Sequence, residues 1–131
     1  MAKVLGIGGV FFVSPNPSRL AAWYRRVLGF EVEPWGGLAF EWQTSKTHLR
    51  ATVWSPKPDA ETFGPAKAPF MINLLVDDLD GLCRSLAKKR VKLEGAREDG
   101  EFGKFAWVVD PDGRRVELWE PPRRPRRARR R

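Results

Sequence analysis

The chain has 131 residues, a formal net charge of +8 and a single cysteine, Cys83. This length suits one domain with a sizeable core. No apolar run reaches the roughly 20 residues that a membrane span needs, and the N-terminus lacks a signal-peptide pattern. One cysteine cannot form an intrachain disulfide. We therefore expect a cytoplasmic protein without a membrane partner.

The positive charge is concentrated at the C-terminus. Residues 123–131 read RRPRRARRR, with seven arginines and no acidic residue, so the rest of the chain carries about +1. Such a run is typical of a solvated, disordered tail. It could bind nucleic acid non-specifically or an anionic surface. The rest of the chain has no basic stripe, so we expect no specific nucleic-acid partner.

The periodicity of apolar residues and the turn-forming residues predict two similar series of elements. The first has a strand over 5–13, a helix over 18–28, and strands over 30–35, 37–43 and 49–55. The second has a strand over 70–76, a helix over 79–89, and strands over 91–96, 103–109 and 114–120. Between them, the segment 57–69 is rich in proline and polar residues and is predicted to be a linker.

The two series also resemble each other residue by residue. FEW at 40–42 matches FAW at 105–107, and VWSP at 53–56 matches LWEP at 118–121. A chain that repeats once is built from two copies of one supersecondary unit. We predict a single α+β domain over 1–122, with βαβββ units at about 4–56 and 70–122. Their sheet would curl into an incomplete barrel around a cleft, with the helices outside.

Side chains alternate between the two faces of a strand, which predicts the lining of the cleft. Ala51, Val53, Val116 and Leu118 would pack under the helices. The other face of the last strands would carry Arg50, Thr52, Trp54, Arg115, Glu117 and Trp119, and the remaining strands would add Phe11, Asn73 and Trp107. This predicts an aromatic cleft of mixed charge.

Two short motifs lie on this framework: VDDLD at 76–80 leads into the second helix, and DPDG at 110–113 precedes VELW at 116–119. With the paired units, they resemble the vicinal oxygen chelate superfamily, the fold of glyoxalases, bleomycin resistance proteins and extradiol dioxygenases. The resemblance covers about residues 4–122. It implies a homodimer and, in the enzymes of the family, a divalent metal held by side chains of the first and last strands of each unit.

The positions that match the family's metal ligands are Gly9, Thr52, Met71 and Glu117. Only Glu117 is an ordinary ligand for a hard or borderline metal. We therefore expect no cofactor and no complete metal site.

Three hypotheses for function follow. The first is a protein that binds a small aromatic or polar molecule in the cleft. The second is a metal-dependent lactoylglutathione-lyase-like or extradiol-dioxygenase-like enzyme that uses Glu117, for instance as a general base, with a divalent metal bound. The third is an interaction module that acts through its basic tail. Glu117 either contacts the ligand or forms a salt bridge with Arg50 or Arg115. Asn73 either hydrogen-bonds a polar ligand or hydrogen-bonds a backbone group. His48, in a predicted turn, is expected to be solvated.

Overall fold

The computed structural model describes residues 2–42, 46–65 and 68–124. Its elements are β1 (Val4–Val13), α1 (Pro17–Leu28), β2 (Leu38–Glu41), β3 (Ala51–Lys57), a 3₁₀ turn (Glu61–Phe63), β4 (Phe70–Val76), α2 (Leu79–Lys88), β5 (Glu98–Gly100), β6 (Gly103–Val109) and β7 (Arg115–Glu120). None of the helices in these ranges is long and apolar enough to cross a membrane.

Polar caps define where the two helices begin. The side chain of Asn16 accepts a hydrogen bond from the Arg19 amide at 3.1 Å, and Pro17 follows it in the first turn of α1. The side chain of Asp78 accepts one from the Gly81 amide at 3.0 Å at the start of α2. Gly29, at φ 73°, ends α1 in the left-handed conformation that glycine adopts without strain.

All seven strands lie in one sheet, in the order β2-β3-β1-β4-β7-β6-β5. The first strand of each unit runs parallel to the last strand of the same unit, and β1 pairs with β4 in the antiparallel sense. The helices lie on one face. Val76, Leu79, Ala106 and Leu118 form a buried core there, with the apolar stripe of α2 packed against it. The predicted α+β fold with a curled, incomplete barrel is confirmed.

Two predicted strands are absent from the described residues. The stretch 30–35 is irregular and ends in a tight turn, in which the Gly36 amide donates to the Glu33 carbonyl at 2.9 Å. Its apolar residue Phe30 packs edge-on against Trp54 instead of joining the sheet. The stretch 91–96 is also irregular, and the corresponding strand is β5, which lies between the predicted strands 91–96 and 103–109.

The described start of the C-terminal tail is bound to the first unit. Arg123 forms a β-bridge with His48, and Arg124 donates its amide to the Thr47 carbonyl at 2.8 Å and pairs with Glu41 at 2.8 Å. Residues 123 and 124, at the start of the predicted tail, are thus attached to the first unit. His48 is half-buried, and its Nδ1 atom lies 2.8 Å from the Thr47 hydroxyl. The other tail residues, 125–131, lie outside the described residues.

Leu79 and Leu28 provide a matched test of this packing, because Leu79 is 0% exposed and Leu28 is 57% exposed. Leu79→Ala should lower the free energy of unfolding by about 2–5 kcal/mol through lost burial and a cavity. Leu28→Ala should change it by less than about 1 kcal/mol. Urea denaturation measures both, and equal losses would contradict the core described above.

Candidate functional site

The register of the sheet aligns five residues in a row on the face opposite the helices. Val53 pairs with Gly9, Gly9 with Asn73, Asn73 with Glu117, and Glu117 with Trp107. Directly paired residues point to the same face of a sheet. We call this the concave face. Glu117 is the ionisable member of the row.

Two N–H donors hold the Glu117 carboxylate. The Asn73 side-chain amide donates to Oε1 at 2.7 Å, and the Trp107 indole donates to Oε2 at 2.9 Å. Glu117 is only 7% exposed. Burial raises the pKa of this carboxyl, while the hydrogen bonds from Asn73 and Trp107 and the charge of Arg115 oppose the rise. The group is therefore a buried carboxyl with an increased affinity for a proton.

Asn73 is 2% exposed, and β1 approaches it closely. Its Nδ2 atom is bound to Glu117, but its Oδ1 atom is buried without a hydrogen-bond partner among the described residues. A Cβ built on Gly8 would overlap this oxygen. Glycine at position 8 is therefore what leaves room for the amide that orients Glu117.

An aromatic wall continues from Trp107 across β6 and β7. The rings of Phe105 and Trp107 are nearly parallel with centroids 6.3 Å apart, and those of Phe105 and Trp119 are 6.1 Å apart. The Trp119 indole donates to the Phe102 carbonyl at 2.8 Å, which fixes the far end of the wall. These rings form a broad apolar surface beside the Glu117 carboxyl.

Arg115 lies at the other end of the site, where its guanidinium makes a cation–π contact, an ion pair and a hydrogen bond. Its guanidinium lies 4.7 Å from the Trp107 ring centroid, its Nε atom pairs with Glu94 at 2.6 Å, and its Nη1 atom donates to the Thr62 carbonyl at 2.8 Å. The ion pair of Arg115 is thus with Glu94. The pairing of Glu117 with Arg115 that the sequence left open is not among the ion pairs of the described residues.

Phe63 covers part of the concave face. It is 0% exposed and packs with Met71 and Trp107, with Phe11 and Val13 at the edge of the cluster. This residue lies in the segment predicted to be a linker, and sequence reasoning missed it. The available signal was an isolated aromatic residue within a polar, proline-rich stretch.

The structure brings together Phe11, Asn73, Trp107, Arg115, Glu117 and Trp119 of the predicted site, and separates two others from them. Trp54 packs against Tyr24 of α1 at 4.8 Å, on the face of the helices. Thr52, two residues earlier, points to the same face and donates to the Ile7 carbonyl at 2.6 Å. Placing Trp54 and Thr52 in the cleft was therefore wrong. Arg50 lies just before β3, and its Nη1 atom donates to the Leu49 carbonyl at 3.3 Å.

The error comes from the alignment of the repeats. Phe11 pairs with Ser55 as Asn73 pairs with Glu117. The caps of the two helices, Asn16 and Asp78, are 62 residues apart, as are Phe11 and Asn73. Ser55 is therefore the counterpart of Glu117, whereas the sequence match at an offset of 65 indicated Thr52. An error of three residues assigns each side chain of the strand to the opposite face of the sheet, because side chains alternate between the faces with a period of two.

The donor set does not fit the metal of the family's enzymes. Gly9 has no side chain, Met71 offers a thioether that is 3% exposed, and Ser55 offers a neutral hydroxyl. Glu117 supplies the single carboxylate, and N–H donors already bind both of its oxygens. No group of three or more potential metal ligands occurs within 2–42, 46–65 and 68–124. One carboxylate without histidine or cysteine is a poor ligand set for zinc or similar ions.

Two surface cavities lie along α1 rather than on the concave face. One, of about 550 Å³, is lined by residues between Ser14 and Tyr24, and the other, of about 500 Å³, includes Arg25 and Glu33. Neither includes Glu117 or the aromatic wall. They therefore do not enlarge the site described above.

The family model of the Glyoxalase/Bleomycin resistance protein/Dioxygenase superfamily matches residues 6–118. The chain belongs to this superfamily. The matched range contains the whole row from Val53 to Trp107. Among curated proteins no match was found.

Solved structures of the superfamily share the fold. Methylmalonyl-CoA epimerase from Mycobacterium tuberculosis is 19% identical, with 90% of this chain and 89% of that chain covered and a TM-score of 0.60. A Streptomyces coelicolor methylmalonyl-CoA epimerase in complex with 2-nitronate-propionyl-CoA is 17% identical, with 91% and 99% covered and a TM-score of 0.62. The 2,3-dioxygenase LapB from Pseudomonas sp. KL28 is 20% identical, with 92% and 42% covered and a TM-score of 0.56. At these identities the likeness concerns the fold alone.

Gly8 and Gly100 allow a controlled test of the close approach to Asn73. A methyl group at position 8 would meet Asn73, whereas one at position 100 would meet nothing within 4 Å. Gly8→Ala should lower the free energy of unfolding by about 1–3 kcal/mol, and Gly100→Ala should change it by less than about 0.5 kcal/mol. Chemical denaturation gives both values; an unaffected Gly8→Ala protein would contradict the packing.

The raised pKa of Glu117 predicts how stability depends on pH. Because the folded-state pKa lies above the unfolded value, the stabilising contribution is complete below the unfolded pKa and is lost as pH rises through the folded pKa. The wild type should therefore lose stability relative to Glu117→Gln as pH rises from about 4 through the raised pKa. Denaturation at several pH values measures this difference, and a constant or opposite difference would refute it.

Proposed function

We propose that the protein binds a small organic molecule on the concave face and uses Glu117 to accept a hydrogen bond or a proton from it. The observation that carries this proposal is the buried Glu117 carboxyl, held by two neutral N–H donors beside an aromatic wall. A buried ionisable group with a perturbed pKa is more frequent at functional sites than elsewhere.

The hydrogen bonds leave the carboxyl able to act on a ligand. Each carboxylate oxygen has two lone pairs, and Asn73 and Trp107 use one on each. The remaining lone pairs can accept from an amine, a hydroxyl or an acidic C–H group. The aromatic wall supports a flat apolar part of the same molecule. This proposal gives Phe11, Asn73, Trp107, Arg115 and Trp119 contact or orienting roles.

The metal-free character of the site is part of the proposal. It is supported by the donor set, in which Glu117 stands alone as a charged ligand and is already engaged by N–H groups. A metal would have to displace at least one of these donors. We therefore assign no step to a metal or another cofactor.

A second candidate is an enzyme that uses Glu117 as a general base. The direction of its pKa shift supports this, because a base with an increased proton affinity works closer to neutral pH. Two of the similar structures are methylmalonyl-CoA epimerases by name, and this motivates acid–base assays. Lactoylglutathione-lyase-like and dioxygenase-like reactions belong in the same panel.

We further propose that the protein is a homodimer in the cytoplasm. The first unit exposes several large apolar side chains, as expected of a surface that a second subunit covers. They are Trp23, Val27, Trp35 and Phe40. The basic tail is a less favoured functional element, because its described beginning is bound to Glu41 of the same chain.

Metal content and ligand binding of the untagged protein test the proposal together. After incubation with manganese, iron, nickel or zinc, we expect much less than one ion per chain in both the wild type and Glu117→Gln. In a thermal-shift screen of small aromatic amines, alcohols and acids, hits should raise the Tm of the wild type and lose most of their effect in Glu117→Gln. Asp112→Asn, an exposed hairpin substitution, is the control.

About one ion per chain in the wild type, lost in Glu117→Gln, would overturn the metal-free proposal and favour the enzyme of the second hypothesis. Hits that stabilise wild type and Glu117→Gln equally would place the ligand away from this carboxyl.

A further inference from the structure

We infer that Phe63 occupies an aromatic subsite of the cleft, and that a ligand carrying a ring reaches Glu117 by displacing the 3₁₀ turn that bears this residue. The inference rests on the proposed function, since it specifies the ligand and the route to the same site. It concerns a ligand with a ring of phenyl size joined to a short amine or hydroxyl group.

The site is closed as the structure stands. Glu117 is 7% exposed, Asn73 2% and Trp107 8%. Phe63 is 0% exposed and packs directly on Trp107, whose indole N–H binds the Glu117 carboxyl. A molecule of any size must therefore move a covering group before it contacts Glu117. Phe63 comes from outside the sheet, and Ala60, three residues earlier, packs against the same cluster.

The turn is held to the sheet mainly by that one ring. Asp59, Glu61 and Thr62 are exposed, whereas Phe63 alone of the 3₁₀ turn is buried. Two short-range hydrogen bonds lie within the turn: the Phe63 amide donates to the Ala60 carbonyl at 3.0 Å, and the Glu61 amide donates to the Asp59 carboxylate at 3.0 Å. Segments with few buried apolar contacts open locally at much lower free energy than strands of a core.

Arg115 is the second attachment of the turn. Its Nη1 atom donates to the Thr62 carbonyl at 2.8 Å, while its Nε atom is paired with Glu94 at 2.6 Å. Gly64 has φ +96°, and a Cβ there would overlap the side chain of Arg115. The close approach of the turn to Arg115 thus depends on glycine. Because Arg115 also lies over Trp107, the same side chain joins the turn to the site.

The surroundings of the Phe63 ring specify the ligand. Met71 and Trp107 contact it, and Phe11 and Val13 lie at the edge, so the space that it fills is apolar and of phenyl size. A ring in that space lies against Trp107, next to the Glu117 carboxyl that Trp107 holds. A short donor group on the ring is what the free lone pairs of Glu117 would accept.

Hydrogen exchange of the wild-type protein tests whether Phe63 behaves as a displaceable occupant. The Phe63 amide should exchange at least about 100-fold faster than the amides of Ala106 and Leu118 in the core of the sheet. Arg115→Met should accelerate exchange at Phe63 further and leave Ala106 and Leu118 within about twofold. Exchange of Phe63 at the rate of the sheet residues would show that it is part of the core and would overturn the inference.

Binding of toluene and benzylamine tests the ligand class. Phe63→Ala should bind toluene at least about tenfold more tightly than the wild type, and Phe102→Ala, which truncates a phenylalanine that is 70% exposed, should not. Benzylamine should bind Phe63→Ala more tightly than toluene does, and the addition of Glu117→Gln should abolish that advantage. NMR titration measures each Kd.

The outcomes separate the two proposals. Equal toluene binding by Phe63→Ala and Phe102→Ala would overturn the subsite. Toluene binding specific to Phe63→Ala, with no effect of Glu117→Gln on benzylamine, would keep the subsite and refute the proposed role of Glu117. If Phe63→Ala does not fold, the exchange measurement on the wild type still decides whether the turn opens.

Discussion

The antiparallel pairing of β1 with β4 is the constraint on which the rest of the molecule depends. It joins the two units into one sheet and sets Gly9 opposite Asn73. From that pairing, the parallel ladder to β7 places Glu117 beside Asn73, and β6 adds Trp107. The ladder is irregular between Ile7 and Gly9, where the chain approaches Asn73 most closely. A one-residue slip in the ladder between β4 and β7 would move Asn73 away from Glu117 and separate the carboxyl from its amide donor.

The electrostatics of the site follow from how this carboxyl is buried. Burial of an ionised carboxylate is costly unless it is paired or hydrogen-bonded. Here the support comes from two neutral donors, while the neighbouring cation, Arg115, forms its ion pair with Glu94. The hydrogen bonds stabilise the charge but do not remove the cost of desolvation, so the pKa of Glu117 is raised. The same donors occupy the oxygens that a metal would need.

The sequence predicted the fold and half of the concave face, and the reasons for its failures are physical. Alternation along VELW placed Glu117 and Trp119 opposite the buried Leu118 without any knowledge of pairing. The similarity of the segments around Trp54 and Trp119 suggested that the last strands of the two units correspond at an offset of 65 residues. The strand pairing gives an offset that is three residues smaller. Register depends on pairing between distant strands, which local similarity does not encode. Phe63 was missed for a related reason: an isolated aromatic residue in a polar linker indicates that the ring is buried but does not show which strands it packs on.

The two units have the same framework but different chemistry, and this difference explains why the site lies to one side of the sheet. On the concave face the second unit carries Asn73, Glu117 and Trp107, whereas the first unit carries Phe11 and Ser55 at the positions that correspond to Asn73 and Glu117. The first unit therefore contributes an aromatic ring and a neutral hydroxyl, and the second contributes the proton acceptor and its donors. Phe63 packs with Met71 of β4 and with Phe11 and Val13 of β1, so the turn that carries it lies across the pairing that joins the two units.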